Sequence, residues 1–480
     1  MRYQKVLLVN ISVPNSYLGP VRPPAGLGYV AQALRDNGIE YDVVDMLLGY
    51  STQDLIARIG QFKPDLVGFS LFTFMHSHAY KTIEAVKKES GGGFDIVAGG
   101  PHVSTLREQV LEECPAVDFG VVMEGERTLI DLCADEAIAK IPGLIHRDGE
   151  LVVFNGERRP IRDLNDLSFP RYENFELNRY MLKEILILSS RGCPYRCTYC
   201  AANLVVGRKV RMRSAVNVVD EIAYWHERGY RRFNFGDDNF TFYSKRVYEF
   251  CDELEDRKLE GLDLRCGNGI RADRVDKPML ERMRQVGFTY IAFGVEAGND
   301  RMLAELKKGE KLETIERSIK DACDLGYDVT LFFLLGSPNE TWADIQDSLD
   351  LAARYPVMDV RFYNLIPYPR TELFDWVSEH NYFVRQPEDY LNDSSVFINK
   401  PIFATPELSV EDRVKALEQA DRVERRVLRL AMERRLRRFG PLGKVGARYF
   451  STKSGQRILR HNKIIRAIAE QVRGQRPNTS

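Results

Sequence analysis

Short apolar runs alternate with helical patterns along most of this chain, in two separate series. The first series occupies residues 1–140, with strand-like runs rich in Val and Ile: KVLLVN (5–10), YDVVDM (41–46), DLVGFS (65–70), FDIVAGG (94–100) and DFGVVM (118–123). Because strands that alternate with helices usually pair in parallel, this series predicts a doubly wound, Rossmann-like sheet. A ligand of such a sheet binds beyond the carboxyl ends of the strands.

The segments that follow these strands contain small or polar residues, in NISVP, SLFTFMHSH, GGPH and MEGE. Such residues let a flat ligand approach the backbone. No GxGxxG follows the first strand, so dinucleotide binding is disfavoured.

The pattern changes over residues 141–180. LIHRDGELVVFNG predicts a hairpin that turns at Asp148 and Gly149, and the Pro- and Asp-rich stretch after it predicts a surface linker. A second strand–helix series fills residues 181–400 and predicts a (β/α)6-type partial TIM barrel, or a full one, with its active site at the carboxyl ends of the strands. Its strands are expected in EILILSS (184–190), RRFNFGDD (231–238), LDLRCGNG (262–269), TYIAFGVEAG (289–298), VTLFFLLGSP (329–338) and VRFYNLIPYP (360–369).

A cysteine-rich loop, RGCPYRCTYC (191–200), directly follows the first barrel strand and contains Cys193, Cys197 and Cys200. Structural zinc sites and most iron–sulfur clusters use four protein ligands. Three thiolates suit a [4Fe–4S] cluster whose fourth iron binds the amino and carboxylate groups of a small molecule. Zinc with a distant fourth ligand, or three incidental thiols, are the alternatives, and we favour the cluster.

The C-x3-C-x2-C spacing, with aromatic Tyr199 before the last cysteine, resembles that of the radical S-adenosylmethionine (radical SAM) enzymes. In that family the open iron chelates SAM, and one electron cleaves SAM to methionine and a 5′-deoxyadenosyl radical. LKKGE (306–310) and PYPRTELF (367–374) also match, although Arg370 departs from a frequent Pro-Gly-Thr. The resemblance implies that the three cysteines ligate the cluster and that SAM contacts Tyr199, Gly236, Asp237 and Asp238 of GDD, Glu296 of GVEAG, and Gly336 of LLGSPNET.

The N-terminal series is similar to the domain of the cobalamin-binding radical SAM subfamily, through RPPAGLGYVA, AGGPH and MEGE, and the likeness covers residues 1 to about 400. DMLLG (45–49) lacks the histidine of the D-x-H-x-x-G motif, so no lower imidazole ligand is expected from it. His76, His78 and His102 lie on strand-end loops, where a lone histidine is more often solvated than a ligand. The resemblance implies cobalamin contacts at Gly99, Gly100, Pro101, His102, Glu124 and Gly125.

The reaction that this resemblance implies is cobalamin-dependent methylation of an unactivated carbon, on a lipid or secondary metabolite, with flavodoxin or ferredoxin as electron donor. The alternative is a non-methylating radical reaction: oxidative cyclisation, ring contraction or carbon–carbon coupling. RNA methylthiolation is disfavoured, because the N-terminal series holds only Cys114 and Cys133 and lacks a second three-cysteine set. A non-catalytic iron–sulfur or cobalamin sensor is a further class, against which the full set of SAM-site residues argues. No catalytic acid or base can be chosen from the sequence.

The C-terminal region, residues 401–480, is predicted to be helical and basic. Residues 422–480 carry 17 Lys and Arg against three acidic residues, although the net charge of the whole chain is −1. RVERRVLRLAMERRLRRFG (422–440) predicts an amphipathic helix with an apolar face of Val423, Val427, Leu430 and Ala431. Such a helix either packs on the acidic body or contacts an anionic membrane, and nucleic acid is the less favoured partner. Scattered single cysteines and the lack of a leader-like or membrane-spanning run predict a cytoplasmic protein.

Overall fold

The computed structural model describes residues 1–11, 19–397, 400–452, 454–456 and 458. Its first sheet has seven strands in the order β2-β1-β3-β4-β5-β6-β7. The first five are parallel, and their 2-1-3-4-5 order confirms the doubly wound fold. The strands are β1 (Lys5–Asn10), β2 (Glu40–Asp45), β3 (Leu66–Ser70), β4 (Asp95–Gly99), β5 (Phe119–Val121), β6 (Leu144–Asp148) and β7 (Leu151–Phe154).

Helices cover both faces of this sheet, and each face has its own apolar core. The alternation of apolar and polar residues in these helices fits one buried face each. Of the segment NISVP, residues 12–14 lie outside the described residues. The helices are α1 (Ala25–Asp36), α2 (Thr52–Phe62), α3 (His76–Glu89), α4 (Pro101–Leu106), α5 (Gln109–Glu113) and α6 (Gly125–Cys133).

The predicted hairpin forms at Asp148 and Gly149, but it belongs to the first sheet rather than to a free linker. β6 pairs antiparallel with β5, and β7 pairs with β6. β5 has only three residues and would otherwise leave an open sheet edge, which natural proteins tend to cover. The sheet therefore extends to residue 154, beyond the expected boundary at 140.

The second sheet has six parallel strands in chain order, from β8 to β11, β12, β13, β14 and β15, with β8 and β15 at its two edges. This open, consecutive order fits a partial barrel. A two-stranded antiparallel ribbon of β9 (Ser190–Arg191) and β10 (Arg211–Met212) brackets the cysteine loop. The strands of the sheet are β8 (Glu184–Ile187), β11 (Arg232–Phe235), β12 (Asp263–Ile270), β13 (Phe288–Glu296), β14 (Asp328–Leu335) and β15 (Asp359–Asn364).

Helices follow the strands of the second sheet and enclose one large apolar core. No described helix combines the length and the apolarity needed to cross a bilayer. The helices are α7 (Ala202–Val206), α8 (Ala215–Glu227), α9 (Ser244–Arg257), α10 (Lys277–Gln285), α11 (Asp300–Glu305), α12 (Leu312–Asp324), α13 (Trp342–Arg354), α14 (Glu372–Glu379), α15 (Pro387–Tyr390), α16 (Val410–Arg435) and α17 (Gly440–Phe450).

The basic C-terminal helix packs on the barrel. Helix α16 starts twelve residues before the predicted helix and contacts β15 and α13. Val427 and Ala431, on the predicted apolar face, are buried, whereas Leu430 is exposed. Of the two alternatives predicted for this face, packing on the body is the one observed, because the open edge of the barrel supplies an apolar surface that covers it. Residues 459–480 of the predicted basic tail lie outside the described residues.

Candidate active site

The cysteine loop is held in place by backbone hydrogen bonds to three other segments. Cys193 N donates to Gly207 O (3.0 Å), Thr198 N donates to Leu306 O (3.2 Å), and Leu373 N donates to Thr198 O (2.9 Å). Gly192 has φ +104°, and a Cβ there would lie 2.3 Å from the carbonyl oxygen of Lys209, so only glycine fits. The matched segments LKKGE and PYPRTELF therefore brace this loop.

The thiols of Cys193, Cys197 and Cys200 are half-buried and lie close enough to affect one another's ionisation. Burial, and to a smaller extent negative charge on the other two thiols, raises the pKa of the Cys200 thiol to about 11. Lys308 and Arg271 oppose the burial effect at Cys197. Three thiols beside two cations fit an anionic cluster, whose binding displaces the thiol protons. Among the described residues, no three His, Cys, Asp or Glu side chains converge as on a single metal ion.

The two aspartates of GDD have different surroundings. Asp237 is buried, and its carboxylate accepts hydrogen bonds from the hydroxyls of Ser189 (2.9 Å) and Ser190, so it fixes the end of β8. Asp238 lies near Cys193, and burial together with the charge of Asp237 raises the pKa of Asp238 to about 6. The SAM contact predicted for the Asp237 side chain would thus compete with two hydroxyl donors, whereas Asp238 lies close enough to Cys193 and Cys200 to raise the pKa of both thiols.

A chain of buried charges runs from Glu296 beneath the cysteine loop. Glu296 ends β13 with φ +69°, a strained conformation for this residue type, and its Oε1 lies 3.0 Å from Lys308 Nζ. Lys308 Nζ also lies 3.5 Å from Glu310, and Arg271 donates to the Lys308 carbonyl oxygen (2.6 Å). Burial alone would lower the pKa of Lys308, but Glu296 and Glu310 hold it above its ordinary value. Burial and the charge of Glu296 raise the pKa of Tyr199, so both predicted SAM contacts share this network.

The Gly336 turn, also predicted to contact SAM, depends on helix α16. Gly336 has φ +92°, and its carbonyl oxygen accepts a hydrogen bond from Arg413 Nη1 (2.9 Å). Glu340 accepts from the backbone N–H groups of Gly336 (2.5 Å) and Ser337 (3.0 Å), and burial raises the pKa of Glu340 to about 7. Sequence reasoning missed Arg413, because nothing in the sequence showed that α16 reaches this turn.

The predicted corrinoid segment, Gly99–His102, joins β4 to α4. Gly100 has φ +96°, and a Cβ there would lie 2.8 Å from the carbonyl oxygen of Leu71, whereas a Cβ on Gly99 would meet nothing closer than 3.9 Å. Gly99 is thus a position where a flat ligand can approach the backbone, and Pro101 begins α4. Cobalamin fits this small-residue turn.

The imidazole of His102 does not face this turn. It is fully buried, its Nε2 lies 2.7 Å from the hydroxyl of Tyr80, and its ring stacks on that of His76 at 5.0 Å. Burial lowers the pKa of His102 to about 3, so the ring is neutral. The side chain of His102 therefore has no exposed atom that could make the predicted cobalamin contact.

The side chain of Glu124 is also engaged within the protein. Its carboxylate accepts hydrogen bonds from Arg191 (3.1 Å), Arg211 (2.7 Å) and the Ile161 backbone N–H (2.7 Å). Only the backbone of Glu124 and Gly125 is left for the predicted corrinoid contact. In DMLLG, Asp45 accepts from Tyr180 and Asn10 (2.8 Å each), so it braces the sheet.

The carboxyl-end loops of the two sheets contact each other. Arg370 Nη1 donates to the Thr105 carbonyl oxygen (2.9 Å), and Met75 N donates to the Leu391 carbonyl oxygen (2.7 Å). Helix α4, which carries the predicted corrinoid segment, contacts α7, which follows Cys200. The two predicted cofactor sites therefore face a common interface.

Comparison with known proteins identifies the family of this chain. Residues 187–352 match the radical SAM superfamily, and residues 12–132 match the B12 binding domain. The chain belongs to the radical SAM enzymes that carry a B12-binding domain, as the motifs predicted. The segments 99–102 and 193–200 thus lie in the domains that are named for the two cofactors.

Two relatives and one solved structure illustrate the family. An uncharacterized methyltransferase of Pyrococcus horikoshii is 29% identical over 79% of this chain and 84% of its own. The anaerobic magnesium-protoporphyrin IX monomethyl ester cyclase of Rubrivivax gelatinosus is 28% identical over 73% of this chain and 66% of its own. The solved structure is that of the radical SAM methyltransferase TsrM from Kitasatospora setae with cobalamin and a [4Fe–4S] cluster bound. It covers 80% of this chain and 76% of its own at 21% identity, and the TM-score of 0.68 shows a shared fold.

Proposed function

We propose that this enzyme holds a [4Fe–4S] cluster at Cys193, Cys197 and Cys200, binds cobalamin beside Gly99 and Gly100, and methylates an unactivated carbon of a lipid or secondary metabolite. The observation that carries the proposal is the interface at which the loop of the cysteines and the corrinoid segment meet. A reaction that uses two cofactors requires both beside one substrate.

The cofactors supply reductive cleavage of SAM, with flavodoxin or ferredoxin as electron donor, and transfer of a methyl group. The protein supplies binding and orientation. Asp238 and Glu296 would hold SAM through their carboxylates, and the Gly336 turn, fixed by Glu340 and Arg413, would offer SAM backbone atoms. Aromatic and apolar side chains after β15 keep water from the interface.

A non-methylating radical reaction remains the second candidate, and the name of the Rubrivivax relative, a cyclase, supports it. Comparing metabolite and lipid extracts of a deletion strain with those of its parent separates the two. Methylation predicts that the deletion product lacks one CH2 unit, whereas cyclisation predicts a mass difference in hydrogens alone.

Bound cobalamin is expected to have no protein imidazole below the metal. DMLLG offers no histidine, and His102 is buried against Tyr80. Electron paramagnetic resonance of the cob(II)alamin form should therefore lack nitrogen superhyperfine splitting. Splitting that disappears in His76→Ala or His78→Ala would contradict this prediction.

We also propose a peripheral contact between α17, in the basic C-terminal region, and an anionic membrane surface. This helix buries Gly443 and Ala447 and exposes Leu442 (80%) and Val445 (65%), the reverse of a helix that faces water. A Cβ on Gly443 would lie 2.2 Å from the Leu436 carbonyl oxygen, so close packing on α16 fixes this orientation. From Arg434 to the last residue there is one acidic side chain, Glu470.

Vesicle flotation tests this contact. The double variant Leu442→Gln, Val445→Gln should not float with anionic vesicles that retain the unmodified chain, and added salt should release the unmodified chain. Leu151→Gln, at an apolar site 69% exposed on β7, is the matched control and should float as the unmodified chain does. Deleting the tail after Asp421 is the poorer test, because it removes Val427 and Ala431 from the barrel surface. Equal flotation of all variants would contradict the proposal.

A further inference from the structure

Four buried charges connect the B12-binding domain to the cysteine loop. Glu124 and Glu126 lie at the start of α6, after the last parallel strand of the first sheet. Arg191 lies in β9, two residues before Cys193, and Arg211 lies opposite it in β10. None of the four side chains is more than 12% exposed. We call these four residues the interdomain clamp.

The contacts of the clamp converge on Arg191. Arg191 Nη2 lies 2.6 Å from Glu126 Oε1, and its Nη1 lies 3.1 Å from Glu124 Oε1, which also accepts from Arg211 Nη1 (2.7 Å). The guanidinium of Arg191 lies 5.1 Å from the ring centroid of Tyr29, on α1 of the first domain. Arg191 is thus held by two elements of the B12-binding domain.

The clamp restrains the cluster loop through the ribbon. Arg191 and Arg211 pair across β9 and β10, and the loop of the cysteines leaves and re-enters this ribbon. Gly207, four residues before β10, lies beside Met123 of the first domain, since a Cβ there would be 3.4 Å from Met123 Cε. A shift of the clamp therefore moves the loop relative to the corrinoid segment.

We propose that Glu126, through Arg191, is a positioning residue that sets the separation and relative orientation of the iron–sulfur and corrinoid cofactors. The proposal rests on the proposed function, since it requires both cofactors. The buried charges favour a positioning role over one that only holds the two domains together. A fork-shaped guanidinium between two carboxylates fixes direction as well as distance, and a non-directional apolar contact does so less strictly.

The test measures the cluster-to-cobalt distance in the full chain loaded with both cofactors. In the reduced cluster and cob(II)alamin states both centres are paramagnetic, and pulsed electron paramagnetic resonance reports their separation. The unmodified chain should give one narrow distribution. Glu126→Gln, which keeps the shape but removes the charge, should broaden it and displace its maximum, with iron and cobalt contents unchanged.

The control is Glu157→Gln. Glu157 pairs with Arg107 at the same 2.6 Å distance, but its side chain is 60% exposed and its partner lies in the first domain rather than in the ribbon of β9 and β10. Its distance distribution should equal that of the unmodified chain. An unchanged distribution in Glu126→Gln would overturn the proposal, whereas the absence of either cofactor signal from the unmodified chain would overturn the proposed function instead.

A second measurement applies if Glu126→Gln does not hold both cofactors. Amide hydrogen exchange of the unloaded full chain should rise by more than about 10-fold at residues 190–193 and 120–126 together, because loss of one partner leaves a buried charge uncompensated. Exchange that is unchanged in both segments would overturn the positioning role. Exchange that rises only within 120–126 would also do so, because the two segments would then not be coupled.

Discussion

Cys193→Ala, Cys197→Ala and Cys200→Ala are each expected to abolish SAM cleavage. A cluster with three protein thiolates loses a third of its protein ligands in each variant. Anaerobic reconstitution, iron and sulfide analysis and quantification of 5′-deoxyadenosine check this result. Full activity in any of the three variants would refute the ligand assignment.

Cys323→Ala is the matched control for these variants. Cys323 is also partly buried but lies on α12, outside the cysteine loop. Its replacement should leave the iron content and the rate of SAM cleavage unchanged. A loss of activity there would mean that thiol replacement acts through folding.

Lys308→Met is expected to destabilise the barrel and weaken SAM binding. Lys308 is buried between Glu296 (3.0 Å) and Glu310 (3.5 Å), and its loss leaves two carboxylates inside the protein with one cation, Arg271, nearby. Removing one partner of a buried ion pair costs about 3–5 kcal/mol, which lowers the melting temperature of a domain of this size by roughly 5–15 °C. Thermal unfolding of the unloaded chain and SAM titration of the loaded one measure the two effects.

The adjacent Lys307 provides the control. It pairs with Glu372 at 2.5 Å, but both side chains are more than half exposed. Exposed pairs contribute about 0–1 kcal/mol, so Lys307→Met should leave both the melting temperature and SAM affinity nearly unchanged. Equal effects of the two substitutions would show that Glu296 does not depend on the buried charge of Lys308.

The alternation of strands and helices predicted most of the fold because its signals are local. KVLLVN was predicted as the strand 5–10, which is also its observed extent, and the six barrel strands lie within the predicted runs to within a few residues. Sheet membership of the hairpin was not predictable in this way. Whether β6 pairs with β5 depends on the open edge of β5. The residues of the hairpin carry no local signal of that edge.

The candidate site shows the same division between local and distant information. The cysteine spacing is local and was found, whereas Lys308 and Arg413 act through contacts with residues 12 and 77 positions away, respectively. The sequence does not distinguish Asp237 from Asp238, whereas the fold shows that Asp237 binds Ser189 and Ser190 and that Asp238 lies near Cys193. The partner of the apolar face of α16 was left open between the body and a membrane for a related reason, since amphipathicity does not identify the surface against which a helix packs.

The proposed function is tested most directly with SAM that carries a deuterated methyl group. This SAM is added to the chain loaded with its cluster and cobalamin under reducing, anaerobic conditions. Mass spectrometry of the quenched reaction then quantifies 5′-deoxyadenosine and the label carried by the extracted cobalamin. We expect 5′-deoxyadenosine together with cobalamin that has gained the deuterated methyl group. Cys197→Ala should form no 5′-deoxyadenosine. 5′-Deoxyadenosine without label in the cobalamin would contradict methyl transfer, and the absence of both products would contradict the proposed function as a whole.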